Sequence, residues 1–189
     1  MHGAGLLLEQ MKPFQATRKV LSIANKYDVD CGSYDALYGD EQTGKLETLL
    51  KSGWAPGRRL VDVGCGTALL SAKLTAKCDL VVGLDVSLGM LRRGRKRIEL
   101  VLGDASYPPF RPQSFTGGIC FTSFHHFRNK VRAADETAAL ISMGGTLAFS
   151  LFETRGTIHD VVVLERCDRL ETVKRLHSGR DSIVITERV

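Results

Sequence analysis

The spacing of hydrophobic and polar positions changes near residue 59. Before that point, "LLLEQMKPFQATRKVLSIANKYD" and "GKLETLLKSG" have apolar residues three and four positions apart. This spacing predicts helices that are interrupted at Pro13 and end near Gly53. After residue 59, short β-branched runs alternate with helical stretches, which predicts βαβ units and a parallel sheet with helices on both faces.

Five strands are predicted in the alternating region: "RLVDVG", "LVVGLDV", "IELVLGDA", "FTGGICFTS" and "GTLAFSLFE". The fourth is the weakest because two glycines interrupt it. Helices are predicted in "TALLSAKLTAKC", "LGMLRRGRKR", "KVRAADETAALISM" and "GTIHDVVVLERC", and "LETVKRLH" and "DSIVITERV" flank "SGR" as a β-hairpin. The expected fold class is α/β, a doubly wound, mostly parallel sheet of seven strands with an antiparallel C-terminal hairpin.

Length and composition are those of a globular domain. The chain has 189 residues, 43% hydrophobic and 25% charged, which excludes a disordered or low-complexity protein. We predict a single domain over 1–189, in which 1–52 is an N-terminal helical extension or lid and 53–189 is the ligand-binding core. No apolar run approaches the ~18 residues of a membrane span, so we expect a soluble, cytoplasmic protein with no membrane partner.

The cysteine content and the net charge exclude few classes of function. The five cysteines are scattered without a C-x-x-C pair, so neither a disulfide framework nor a metal site is expected. The net charge of +5 favours an acidic partner such as nucleic acid. The basic residues of one predicted helix either contact phosphates or form a solvated helix end, which we favour: Arg92, Arg93, Arg95, Lys96 and Arg97.

The segment "VDVGCGTALL" predicts a ligand loop, because Gly64 and Gly66 follow a strand and precede a helix. Such a loop exposes backbone N–H groups, and the missing Cβ atoms let a ligand approach closely. Leu69 stands where a dinucleotide fingerprint has its third glycine, which disfavours NAD. Asp62 and Asp85, on the first two strands, suit a ligand with ribose hydroxyls and positive charge. A tight turn without ligand, and a helix N-cap role for Asp85, are the alternatives.

Five segments in order resemble the motifs of class I S-adenosylmethionine-dependent methyltransferases, in particular the type 11, ubiquinone-biosynthesis-like domain. They are "LVDVGCGTALL", "VVGLDVS", "LVLGDASYPPF", "SFTGGICFTSFHHF" and "ETAALISMGGTLAF", and the resemblance runs from about Arg58 to Phe152. It implies a Rossmann-like methyltransferase fold, S-adenosylmethionine as cofactor and S-adenosylhomocysteine as product. Thr116 and Met143 depart from the pattern, where the family usually has an acid and a proline.

The resemblance also implies a set of cofactor-binding residues. Gly64 and Gly66, with Cys65 between them, would approach the methionine part of the cofactor, and Asp62 would fix the loop. Asp85 would bind the ribose hydroxyls. The remaining members are Val86 near the adenine, Asp104 and Ala105 at the adenine amino group, and Phe121 near the methionine end. Cys65 and Cys120 are interpreted as small core residues rather than nucleophiles.

Methyl transfer needs positioning and exclusion of water more than a protein nucleophile. His125 and His126 follow the fourth predicted strand, where either is a candidate general base. A role in lining the pocket is the favoured alternative for both histidines.

The stretch "NKYDVDCGSYDALYGDEQ" resembles a Tyr-Asp element that covers the cofactor in related methyltransferases. It places Tyr27, Tyr34 and Tyr38 as lid or substrate residues. An ordinary aromatic loop is the alternative, in which Asp28 and Asp35 are solvated turn residues.

The acceptor is the least determined part of the function. No N/D-P-P-Y/F tetrapeptide follows the fourth strand, which disfavours methylation at exocyclic or amide nitrogens. No insertion is long enough to cap the pocket, so we expect an open site and favour a macromolecular acceptor, RNA or protein, or an activating partner subunit. A small-molecule acceptor and a non-catalytic subunit of a complex are the alternatives, and the oligomeric state is not indicated.

Overall fold

The computed structural model describes residues 18–94, 98–152 and 157–189. Two helices, α1 (Arg18–Asp30) and α2 (Tyr34–Lys51), precede the sheet. The strands are β1 (Arg59–Val63), β2 (Leu80–Asp85), β3 (Glu99–Leu102), β4 (Phe115–Phe121), β5 (Ile141–Phe152), β6 (Leu170–Ser178) and β7 (Asp181–Arg188). The helices between them are α3 (Leu69–Ala72), α4 (Leu88–Arg92), α5 (Lys130–Leu140) and α6 (Thr157–Glu165).

The seven strands form one sheet in the order β3-β2-β1-β4-β5-β7-β6. Strands β1 to β5 pair in parallel, and β7 pairs antiparallel with both β5 and β6. The predicted fold class, including the C-terminal hairpin, is therefore confirmed. The strand order reverses between β1 and β4, and a ligand crevice lies at the carboxyl ends of the strands at such a point.

Two hydrophobic clusters cover the two faces of the sheet. Val61 and Val63 of β1 belong to the cluster that also contains buried residues of α5 and α6. Leu60, on the opposite face of the same strand, belongs to the cluster with Leu46 and Leu49 of α2. Alternation along the strand thus assigns its side chains to opposite layers, as expected for a sheet with helices on both faces.

The connection between β1 and β2 differs from the long helix predicted in "TALLSAKLTAKC". Helix α3 has only 4 residues, and a separate 3-10 turn follows at Thr75–Lys77. Ala68 precedes α3 with a left-handed φ of 56°, and Leu74 between the two pieces is fully buried. The local helical pattern is therefore overridden by the need to bury Leu74.

The fourth strand is better formed than its glycines suggested. A Cβ on Gly117 would lie 2.2 Å from the carbonyl oxygen of Pro56, so the close passage of residues 56–57 requires glycine here. Thr116 accepts a hydrogen bond from the Arg59 N–H at 3.0 Å. Helix α5 also ends earlier than predicted, because Ile141 already pairs with Phe115 in the sheet.

Within the described ranges, no helix combines the length and the apolar character needed to cross a membrane.

Candidate active site

A cavity opens at the carboxyl ends of β1, β2 and β4. Seven of the nine predicted cofactor residues line this first cavity: Gly64, Gly66, Asp85, Val86, Asp104, Ala105 and Phe121. Val20, Ile23 and Tyr27 of α1 also line it. Residues far apart in the sequence are thus brought together at the point where the strand order reverses.

The carboxylate of Asp85 organises the glycine loop. Its Oδ2 accepts from the Gly66 N–H at 2.8 Å and its Oδ1 from the Ser87 N–H at 2.8 Å. Burial raises the pKa of Asp85, although these backbone donors oppose the rise. A carboxylate has about four acceptor positions, so Asp85 keeps capacity for a further donor.

The two loop glycines serve different purposes. Gly64 has φ 76°, and a Cβ there would lie 2.4 Å from the Ser123 Cβ, so this glycine lets the loops after β1 and β4 meet. Gly66 has φ 55°, and a Cβ there would meet no atom within 4 Å. The space over Gly66 therefore faces the cavity and is available to a ligand.

Asp62 and Cys65 do not line the cavity. Asp62 is 4% exposed, and burial raises its pKa to about 7 while a hydrogen bond from Ser71 opposes the rise. Cys65 packs against β2, since a Cβ on Gly83 would lie 2.6 Å from its sulfur. Burial raises the Cys65 pKa well above its usual range, so the thiol is neutral at neutral pH. Both residues support the loop from beneath.

The loop after β3 is held by its own acid and by α5. Asp104 Oδ1 accepts from the Ser106 N–H at 2.8 Å. Arg132 of α5 donates to the Ser106 carbonyl at 2.8 Å, and its guanidinium lies 3.9 Å from the centre of the Tyr107 ring. These contacts tie the loop after β3, which forms one side of the cavity, to helix α5.

The N-terminal helices are anchored to the loops around the cavity. Asp28 Oδ1 accepts from the Ser87 hydroxyl at 2.5 Å and from the Gly89 N–H at 2.7 Å. Asp35 Oδ1 accepts from the Thr67 hydroxyl at 2.5 Å. Both acids are thus anchors of α1 and α2, and they lie in these helices rather than in turns.

A second cavity, of about 470 Å³, adjoins the first. Four residues line both: Tyr27, Tyr34, Thr122 and His126. The second cavity is further lined by Lys26, Asp30, Tyr38, Glu41, Gln42, His125, Lys130, Phe152 and Asp160. Tyr34 and Tyr38 belong to helix α2 rather than to an aromatic loop, and their ring centres are 5.0 Å apart.

The two predicted histidines occupy different positions. His126 lies at the junction of the cavities, and its Nε2 is 2.7 Å from the Tyr27 hydroxyl. Burial lowers the pKa of His126 to about 4, with His125 the next contribution. His125 lines the second cavity but not the first, and burial lowers its pKa as well. Both imidazoles are therefore neutral at neutral pH.

A buried polar cluster that the sequence does not predict lies beneath the junction of the two cavities. Thr122 has a left-handed φ of 55°, which is unusual for a β-branched residue, and its hydroxyl lies 2.9 Å from Gln42 Nε2 and 3.2 Å from Lys45 Nζ. Lys45 is 1% exposed and also contacts Asp181 Oδ2 at 2.9 Å. The local sequence does not identify these residues, because a lysine in an amphipathic helix is normally expected on the exposed face.

The predicted basic helix is only partly described. Arg92 and Arg93 are exposed, in keeping with the solvated interpretation, while Arg95, Lys96 and Arg97 lie outside the described residues.

Comparison with known proteins relates part of the chain to one family. The model of the methyltransferase domain family matches residues 61–149, which begin within β1 and end within β5. This segment, which carries the glycine loop and strands β2 to β4, is similar to that family.

Curated relatives of this chain include a protein from Corynebacterium kroppenstedtii named demethylmenaquinone methyltransferase. It is 31% identical over 150 residues, which are 77% of this chain and 63% of the relative. A protein of the same name from Mycobacterium sp. (strain KMS) is 30% identical over 70% of this chain and 60% of the relative. The chain thus spans less than two thirds of the length of these relatives.

Solved structures share the fold at low sequence identity. A chain in the complex between the Haloferax volcanii Trm112 methyltransferase activator and a proposed methyltransferase superposes with TM-score 0.74. It is 12% identical and covers 86% of this chain and 97% of that chain. Magnesium protoporphyrin IX methyltransferase from Synechocystis PCC 6803 with bound SAM gives TM-score 0.71 at 16% identity, over 93% of this chain and 99% of that chain.

Proposed function

We propose that this chain transfers a methyl group from S-adenosylmethionine to a small-molecule acceptor. The observation that carries the proposal is the pair of adjoining cavities. The first cavity has the Asp85 carboxylate and the Gly66 loop at its base, and the second has aromatic and polar walls. Tyr27, Tyr34, Thr122 and His126 form the boundary at which donor and acceptor would meet.

The residues of the first cavity fit S-adenosylmethionine. The remaining acceptor capacity of Asp85 suits ribose hydroxyls, and the open space over Gly66 suits the methionine part. Val86, Met90 and Ala105 offer apolar contacts to an adenine. When bound, the cofactor supplies a methyl group on a positively charged sulfur. The carboxylates of Asp85 and Asp104 make the cavity more suitable for a cation than for a pyrophosphate.

A small-molecule acceptor is favoured over the macromolecular acceptor that an open site suggested. Helices α1 and α2 contribute Lys26, Tyr27, Asp30 and Tyr34 to the walls of the second cavity, so the N-terminal helices act as its lid. The relatives named demethylmenaquinone methyltransferase support the same choice. We therefore take a demethylated naphthoquinone in its reduced, electron-rich hydroquinone form as the first acceptor to test.

Catalysis in this proposal depends mainly on positioning. The two cavities hold donor and acceptor in contact, and closure by α1 and α2 excludes water, which together supply much of the rate enhancement of such a transfer. The tyrosine rings of α2 suit the flat ring of a hydroquinone.

Calorimetry with S-adenosylhomocysteine tests the cofactor part. We expect micromolar binding, weakened at least about tenfold by Asp85→Asn, because hydrogen bonds to a charged group contribute about 1.5–3 kcal/mol. Asp79→Asn is the matched control, since Asp79 precedes the amino end of the same strand, far from the cavity, and pairs with Arg58. Tighter binding of NAD than of S-adenosylhomocysteine contradicts the proposal.

The acceptor part requires labelled S-adenosylmethionine. The reduced demethylated naphthoquinone, RNA fractions and protein fractions are compared as acceptors, each with and without candidate partner proteins. Label in the naphthohydroquinone supports the small-molecule proposal. Label in RNA alone, or in protein alone, contradicts it and restores the macromolecular acceptor.

A further inference from the structure

The contact between Tyr27 of α1 and His126, which follows β4, lies where the two cavities join. The Tyr27 oxygen is 2.7 Å from His126 Nε2, and the two rings meet edge to face with centres 5.5 Å apart. Both residues line both cavities. A hydroxyl and an imidazole in direct contact at the meeting point of donor and acceptor are placed to move a proton during the transfer.

We propose that Tyr27 and His126 act as a two-residue proton relay, in which Tyr27 takes the proton of an acceptor hydroxyl and passes its own to His126. This inference rests on the proposed function and adds to it the residues that accept the proton. It also requires that the Tyr27 hydroxyl donate to Nε2, so that the His126 proton resides on Nδ1.

The step balances for a hydroquinone acceptor. The ring carbon forms its bond to the methyl group while the methyl–sulfur bond breaks and its electron pair stays on sulfur. The hydroxyl of that ring becomes strongly acidic, so its proton moves to Tyr27 as the Tyr27 proton moves to His126. The imidazolium then returns a proton through Tyr27 to the ring oxygen, and the hydrogen on the methylated carbon leaves to water, which restores the aromatic ring.

The pKa of His126 suits a proton transfer that accompanies formation of the carbon–carbon bond. The pKa of His126 is lowered to about 4 by burial, then by His125, Lys26 and Lys130, so His126 is a free base before the reaction. A weak base is sufficient because the hydroxyl becomes acidic only as the carbon–carbon bond forms. The positive charge lost from sulfur is replaced by that of the imidazolium, so the site keeps its net charge. Other groups that face Tyr27 are Asp85, Tyr38 and Asp30.

The first test uses the protein without donor or acceptor. A long-range proton–nitrogen NMR spectrum at about pH 7 should show His126 as a neutral imidazole with the proton on Nδ1. In Tyr27→Phe the two tautomers should interconvert, because the hydroxyl that fixes the ring is gone. A protonated His126, or a proton fixed on Nε2 in the wild type, overturns the relay.

The second test measures methyl transfer to the reduced demethylated naphthoquinone. Tyr27→Phe and His126→Gln should each lower kcat about 100-fold, the usual range for loss of general acid–base catalysis, with S-adenosylhomocysteine affinity within about threefold of wild type. The wild-type rate should be flat between about pH 6 and about pH 8. The rate of Tyr27→Phe should rise about tenfold per pH unit, because only the ionised acceptor then reacts.

A merely structural role for Tyr27 would lower activity without this pH dependence, so a flat profile in Tyr27→Phe overturns the relay. Wild-type transfer with unchanged kcat in both variants also overturns it and leaves the proposed function standing. If the wild type transfers no methyl group to the naphthohydroquinone, both the proposed acceptor and the relay are contradicted. If the wild type still binds S-adenosylhomocysteine in that case, the proposed cofactor stands.

Discussion

Asp62 carries an acid group in a place where water does not reach it. Its carboxyl lies beneath the glycine loop, and its pKa rises to about 7 through burial, against the hydrogen bond from Ser71. In the unfolded chain this group ionises near its ordinary value. The folded protein therefore binds a proton at Asp62 over a pH range in which the unfolded chain does not.

The sign of the resulting pH dependence follows from linkage. Because the folded pKa is raised, the contribution of Asp62 to stability is full below about pH 4 and is lost as the pH rises to about 7. Asp62→Asn removes this titration. The free energy of unfolding of Asp62→Asn minus that of the wild type should therefore increase by ~2–4 kcal/mol between about pH 4 and about pH 7.

Urea unfolding of the protein without ligand at several pH values measures this difference. The constant effect of the amide cancels, because only the change with pH is compared. Asp168→Asn, at an exposed acid, is the control and should show no such trend. A difference that stays level for Asp62→Asn would show that folding does not raise the pKa of its carboxyl.

At the scale of elements, one carboxylate ties α1 to the start of α4. Asp28 accepts hydrogen bonds from Ser87 and Gly89. The approach is close enough that a Cβ on Gly89 would lie 2.9 Å from the Asp28 Cα. Since Val20, Ile23 and Tyr27 of α1 line the first cavity, this anchor also holds one wall of the cavity in place.

Loss of this anchor should release α1. Asp28→Ala should make the amide hydrogens of α1 exchange at least about tenfold faster, since two hydrogen bonds to a charged group are worth more than 1.4 kcal/mol. S-adenosylhomocysteine should bind more weakly for the same reason. Asp30→Ala, on the same helix and without a side-chain anchor to α4, is the matched control. Equal exchange rates in the two variants would mean that apolar packing alone holds α1.

Element by element, the sequence predicts the sheet better than the helices around it. The central strands β1, β2 and β4 are mostly buried, so their local apolar pattern agrees with their tertiary environment. The segment after β1 shows the opposite case, because burial of Leu74 divides a helical pattern into α3 and a 3-10 turn. Tyr34 and Tyr38 were predicted as lid or substrate residues outside the two helical patterns and lie in α2, which begins 10 residues before Gly44, the start of the predicted helix.

In the candidate site, too, the sequence predicts the residues that have a local pattern and not those that only the fold brings together. Gly64, Gly66 and Asp85 could be found because the glycine loop and the acid at the end of the next strand are local features with fixed spacing. The Tyr27–His126 contact could not be found, because its partners come from distant segments that only the fold brings together. The same holds for Thr122 and its partners in α2.

At the scale of the whole molecule, Lys45 joins α2 to the last strand. It contacts Asp181 of β7 at 2.9 Å and Glu41 at 2.6 Å, and Asp181 also accepts from the Ser150 hydroxyl. Lys45 and Asp181 are each 1% exposed. A buried ion pair of this kind contributes little net stability, but removal of one partner leaves an unpaired charge inside the protein.

Lys45→Met should therefore lower the free energy of unfolding by about 3–5 kcal/mol. Adding Asp181→Asn should recover much of this loss, because the abandoned charge is removed as well. Lys51→Met, on the same helix and in an exposed pair with Glu47, should cost less than about 1 kcal/mol. Chemical unfolding of the wild type, Lys45→Met, Asp181→Asn and the double variant gives the coupling energy, and strictly additive losses would contradict a direct Lys45–Asp181 interaction.

The Lys45–Asp181 pair also constrains the order of events during translation. Helix α2 leaves the ribosome before β7 does, because β7 follows it in the chain. Until β7 emerges, the ammonium group of Lys45 lacks its buried carboxylate partner Asp181, and burying it would be costly. Nascent chains halted before β7 should therefore keep α2 off the sheet, and the ability to retain S-adenosylhomocysteine should arise only when β7 has joined.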